Sequence, residues 1–175
     1  MNPQQPRPRP GTDHTEDLSP LWEQVRSRFN LSLDSLHGPR HWRQVERNGL
    51  HLCQFHEADP WVIRLFALFH DSCRENEWED PCHGPRGADL AAEFRRAGHF
   101  QLDDARMDLL TTACRIHNGS PPHPNPTIGV CLDADRLDLG RVGIVPDPEL
   151  LSTTTARSIA SRGAFHELDR VADPD

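Results

Sequence analysis

Pro60-Trp61-Val62-Ile63-Arg64-Leu65-Phe66-Ala67-Leu68-Phe69-His70-Asp71 is the stretch whose reading decides the fold. Trp61–His70 is apolar on almost every side, so it lacks the polar face of a surface helix and the alternation of a half-buried strand. It predicts a central helix buried among others. Asp59-Pro60 supplies its start, and Val62, Phe66, Phe69 and Cys73 form one stripe along it. Asp71 is harder to place, because a carboxylate after a mostly apolar run needs a partner.

Helical patterns flank this stretch on both sides. Ser19-Pro20 reads as an N-cap followed by a proline in the first turn, with a helix to about Phe29. From Pro39 to about His56, the residues His41, Val45, Asn48 and Leu52 share one face. Arg86–Ala97 is stopped by Gly98, and Leu102–Ile116 by Asn118-Gly119. Ser120–Pro126 carries four prolines and reads as a loop. Thr127–Gly140 is the sixth helix. No repeat, heptad or strand pattern appears. The class is all-α, a single-domain bundle of about six core helices over residues 19–145. Residues 1–18 are polar and Pro-, Gln- and Arg-rich, and read as a disordered tail. Residues 146–175 read as an extension with one amphipathic helix, Thr155–Leu168, and a frayed end.

Composition narrows the chemistry. All 19 basic residues of the 175 are arginine, tyrosine is absent, and there are 11 histidines. Without lysine, Schiff-base chemistry and a Walker-type phosphate cradle are excluded. The net charge of −8 disfavours nucleic acid as a partner. Five cysteines without a C-x-x-C pair argue against a disulfide framework or cysteine zinc knuckle. No apolar run approaches a membrane span and no leader segment is visible, so the expectation is a cytoplasmic protein, monomer or homodimer.

His41 lies in the second helix, His70 and Asp71 at the end of the central one, and His83 ahead of the fourth. His117 lies at the end of the fifth, and Asp133 and Asp135 in the sixth. Helical bundles build metal sites this way, from side chains on facing helices. Each residue also has a plainer reading. His41 fits the surface, His70 a hydrogen-bonded core histidine, and His117 the helix dipole. His83 fits a solvated turn, and Asp133 and Asp138 fit ion pairs with Arg136 or Arg141.

Taken in order, His41-Trp42-Arg43-Gln44-Val45, Leu65–Asp71, His83-Gly84-Pro85-Arg86-Gly87-Ala88, Ile116-His117 and Asp133-Ala134-Asp135-Arg136-Leu137-Asp138 resemble the motifs of the HD-domain metal-dependent phosphohydrolase superfamily. The likeness spans about Leu33 to Val145 and is greatest to small stand-alone bacterial members. It implies that His41, His70, Asp71 and Asp135 hold one divalent metal. In two-metal members, Asp71 bridges to a second metal held by His83 and His117. Nitrogen and carboxylate donors suit Mn, Fe, Co, Ni or Zn better than Ca, with Mg also compatible.

The resemblance further implies hydrolysis of a phosphate ester of a nucleotide or other small phosphorylated metabolite, by attack of metal-bound hydroxide. Asp71 or Glu75 would manage the proton. Glu75 stands one place beyond the position that is acidic in many members, which here is Arg74, and it also reads as a solvated helix end. With no lysine, arginine must grip the phosphate, and Arg74, Arg40, Arg86 and Arg136 are the candidates. His37 and His123 are spare histidines, read as supporting or solvated rather than ligating. Two other readings fit the same motifs: a di-iron oxygenase, and a non-catalytic nucleotide-binding module.

Overall fold

The computed structural model describes residues 17–170, and the first sixteen and last five residues of the sequence, including most of the expected tail, lie outside the described residues. Seven α-helices follow one another: α1 Ser19–Ser27, α2 Pro39–Cys53, α3 Pro60–Phe69, α4 His83–Arg96, α5 Asp104–Ile116, α6 Pro126–Arg136 and α7 Thr154–Arg162. Short 3-10 turns sit at Leu139–Val142, Pro148–Leu150 and Phe165–Arg170, and no strand occurs among the described residues. None of the helices is long and apolar enough to cross a membrane.

α3 is the axis of the molecule. Eight of its ten residues are buried, and it packs against α2, α5 and α6 and also touches α1 and α4. Its one charged residue, Arg64, is paired with Glu46 of α2 at 2.8 Å and covers the Trp61 ring. The N-terminus of α3 is closed by Asp59, whose carboxylate accepts from the amides of Trp61 and Val62. Arg106 of α5 binds the same carboxylate through two hydrogen bonds of 2.6 and 2.9 Å. Thus a surface cap also ties α5 to α3.

α2 meets α3 and α6 along the predicted His41–Leu52 face, and all four residues of that face are buried. Asn48 on this face donates to the Ala134 carbonyl of α6, so its polarity links two helices rather than opposing burial. Two glycines set the position of α4. A Cβ on Gly87 would meet the Phe69 carbonyl at 2.3 Å, and one on Gly84 would meet the Cys114 carbonyl at 2.3 Å. Any side chain at either place would push the start of α4 away from the ends of α3 and α5.

Several boundaries differ from the sequence reading. Ser19 is the first helical residue of α1 rather than its cap, and its amide donates to Asp17 instead. Leu18, assigned to the tail, is buried. His83 opens α4 rather than preceding it, and α6 ends at Arg136 in place of Gly140. The last helix ends at Arg162 on left-handed Gly163, short of Leu168. Asp133 is the largest correction. It is fully buried, not a surface ion-pair residue, and its two oxygens accept from the amides of Ser152 and Thr153 at 2.6 and 2.7 Å. Those bonds fasten the segment after Pro146 onto α6, where Leu151, Ala156 and Ile159 enter the core. Burial raises the Asp133 pKa above the usual carboxylate value, against the pull of the two amides.

Candidate metal centre

The ends of five helices, α2 to α6, converge at the C-terminal end of α3. His70 is the C-cap residue of α3 and Asp71 follows it. His117 is the C-cap of α5, His83 is the first residue of α4, and His41 comes from the first turn of α2. Asp135 lies in the last turn of α6. Because His70 and Asp71 sit where the helix stops, their side chains reach a common point that the middle of a helix would deny them.

The histidine tautomers follow from what faces each ring. The Nδ1 of His70 lies 3.1 and 3.0 Å from the carbonyl oxygens of Phe66 and Ala67. The Nδ1 of His117 lies 2.8 Å from the Cys114 carbonyl, and that of His83 bonds the Asp80 carbonyl. The Nδ1 of His41 lies 2.7 Å from the Asp138 carboxylate. Oxygens of this kind only accept, so each Nδ1 carries the proton. In the neutral ring each Nε2 is then a bare lone pair.

Those lone pairs point at one another. The Nε2 atoms of His41 and His70 are 3.1 Å apart, and those of His83 and His117 are 2.8 Å apart. Asp71 lies between the two pairs. Its Oδ2 is 3.7 and 3.8 Å from the first pair. Its Oδ1 is 3.1 and 3.5 Å from the second. Asp135 joins the first pair, with Oδ1 3.3 Å from His41 and 3.9 Å from His70. Two donors each about 2.1 Å from one ion stand roughly 3.0–3.4 Å apart at right-angle to tetrahedral geometry. The clustered donor atoms of His41, His70 and Asp71, and of Asp71, His83 and His117, could each hold a metal ion, and the six residues are buried or nearly so.

The charge states of the two carboxylates and of His70 agree with that donor set. Burial would raise the Asp71 pKa, but the surrounding imidazoles hold it well below the usual carboxylate value. Asp135 is likewise lowered, against burial, chiefly by its bond to His41. Burial would lower His41, yet Asp135 and Asp138 outweigh it and the pKa rises. Burial also opposes the rise at His117, which comes from its bond to Asp71. At His70 burial prevails and the pKa falls to about 3. The carboxylates are ionised at neutral pH and His70 is neutral, as a metal ligand must be.

The supporting residues divide differently from the sequence reading. His37 donates Nδ1–H to Asp71 Oδ2 at 2.9 Å and also lines the cleft. His123 is absent from the centre and accepts from the Asn125 amide in the proline loop. Glu75 does not reach the centre. The chain leaves the helix after His70, and the Glu75 side chain is 64% exposed and faces Arg86 at 3.6 Å. Of the arginines, Arg74 lies on the cleft wall with its Nε 3.3 Å from Asp71 Oδ1. Arg86 is committed to the Cys73 carbonyl and to Asp80, and Arg136 to the Ser120 and Leu150 carbonyls. Both therefore fasten loops. Arg40 is exposed and lines a different groove.

Two residues were overlooked as site residues. Asp138, read as a surface charge, is the acceptor that orients His41. Arg141, read only as an ion-pair partner, forms part of the cleft wall. The available signal was spacing, since Asp135 and Asp138 are three residues apart at a helix end and share a face, whereas Asp133 does not. The cleft itself has a volume of about 220 Å3 and opens onto Asp71, His83, His117 and Asp135. No protein-family model, curated protein or solved structure matches the chain.

Proposed function

We propose that the protein is a metal-dependent phosphohydrolase acting on a small phosphorylated metabolite, a nucleotide or a similar ester. The observation that carries this reading is the facing of four imidazole lone pairs, two and two, across one ionised carboxylate. Neutral lone pairs at such distances repel, and a divalent cation between them removes the repulsion. The order of motifs shared with HD-domain phosphohydrolases supports the same reading.

His41, His70, Asp71 and Asp135 would hold one ion, and Asp71, His83 and His117 a second. A transition metal bound there supplies positive charge and an acidified water beside the phosphate. The protein residues supply position and proton handling. Arg74 and Arg141 line the cleft with Nε and Nη1 already donating, to Asp71, Asn76 and Trp78 and to Leu36 and Asp138, so their Nη2 groups would take the non-reacting phosphate oxygens. Asp71 has little capacity left as a base, because its two oxygens face four imidazoles and also accept from His37 and Arg74. His37 suits that task better. With Nδ1–H held on Asp71, its Nε2 is an acceptor for a proton at the cleft wall.

The test is a panel of nucleotides and sugar phosphates with Mn2+, Co2+, Ni2+, Fe2+ and Mg2+, reading inorganic phosphate. The reading expects release with at least one transition ion and loss with chelator. Silence across every ion and substrate, on protein shown to be metal-loaded, overturns it.

A further inference from the structure

Beside the metal cleft lies a second, larger groove of about 560 Å3. Three of its lining residues, Arg40, Arg43 and Arg47, recur on one side of α2 at spacings of three and four. Helix rise is about 1.5 Å per residue, so this row spans roughly 10 Å. Arg141 faces the row from beyond α6 and lines both the groove and the metal cleft. It is the wall the two share.

The groove is cationic on a protein of net charge −8. Among the described residues four guanidiniums and two carboxylates, Asp34 and Asp138, line it; Asp138 accepts from His41 and faces Arg141 at 3.7 Å, and Arg47 makes a further contact of its own. One of the guanidiniums is held by a neutral group, which fixes it without cancelling its charge. Arg43 lies over the Trp22 ring at 5.0 Å. Arg141 donates to the carbonyls of Leu36 and Asp138 at 2.9 and 3.1 Å. Fixed guanidinium forks suit phosphate oxygens. A long polyanion bound in so short a row would extend over the acidic remainder of the surface, which favours a small ligand.

We infer that this groove is a second anion site and that the substrate carries two phosphoryl groups, one at the metals and the other on the Arg40–Arg43–Arg47 row. The inference rests on the phosphohydrolase reading for its first phosphate only. The second requires no metal.

Two measurements separate the two ideas. The first is calorimetric binding of inorganic pyrophosphate to the chelator-treated full chain at low salt. Wild type binds, Asp71→Ala binds equally, and Arg43→Gln/Arg47→Gln binds at least tenfold more weakly. Arg40→Gln/Arg47→Gln, which leaves the Trp22 contact intact, does the same. No binding to wild type, or binding unaffected by both double variants, overturns the second site while leaving the hydrolase reading untouched. The second is hydrolysis of adenosine 3′,5′-bisphosphate against adenosine 5′-monophosphate. The double variants raise KM for the bisphosphate at least tenfold and leave the monophosphate KM within twofold. An equal effect on both substrates overturns the assignment, as does tighter binding of a single-stranded RNA oligomer than of pyrophosphate.

Discussion

The two ends of α3 carry one aspartate each, and the two are treated in opposite ways. Asp59 at the N-terminus accepts from two backbone amides and from Arg106, so its charge is answered within the protein. Asp71 at the C-terminus is surrounded by imidazoles whose Nε2 atoms are lone pairs, and it shares the site with Asp135 and Asp138. Among the described residues Arg74 is its one guanidinium contact. A buried carboxylate with donors around it is structural, while one among other acceptors is half of a cation site. The same helix thus shows what a closed charge looks like and what an open one looks like.

Breaking the open end has the largest expected effect. Asp71→Ala should lower phosphohydrolysis by roughly 1,000-fold or more, because both halves of the centre lose their shared ligand. Steady-state assay at saturating metal checks this, and thermal unfolding should still show a cooperative transition. His37→Ala tests the proton role at that end. It should lower kcat by about 100-fold with KM and metal content unchanged. A loss of metal in this variant would make His37 a supporting residue only.

Asp138→Ala sharpens the contrast within the centre. His41 alone takes its orientation from a carboxylate, whereas His70, His83 and His117 use backbone carbonyls. Removing Asp138 should weaken metal affinity about 10–100-fold, measured by chelator competition. The closed end responds in stability instead. Asp59→Ala should cost about 2 kcal/mol from the lost cap and charged bond, or roughly 4–8 °C in Tm, with activity at 25 °C retained. Burial would raise the Asp59 pKa, but Arg106 and the α3 amides hold it below 3.8. Its contribution is therefore present above about pH 4 and lost as pH falls through the folded pKa. The stability gap between wild type and Asp59→Ala should close in that acid range.

The closed end was legible in the sequence and the open end only in part. Asp59-Pro60 and the run to Phe69 announce a capped, buried helix, because cap and core are written in consecutive residues. The residues of the His/Asp cluster that could hold a metal were legible as residue types on separate helices. What followed Asp71 was not, since residues 72–82 have no periodicity and their contacts are made by tertiary packing. Glu75 therefore turned outward and Arg86 closed onto Asp80. The three acids of the Asp133–Asp138 run could not be sorted by composition. Asp133 meets amides about twenty residues on, and Asp138 meets a histidine from α2, both long-range events.

Elemental analysis after reconstitution with Mn2+ and removal of free ion tests the central claim most directly. Wild type should hold about two ions per chain, His117→Ala about one, and Asp71→Ala almost none. Equal metal content in wild type and Asp71→Ala, or none in either, would contradict a centre built on the open end of α3.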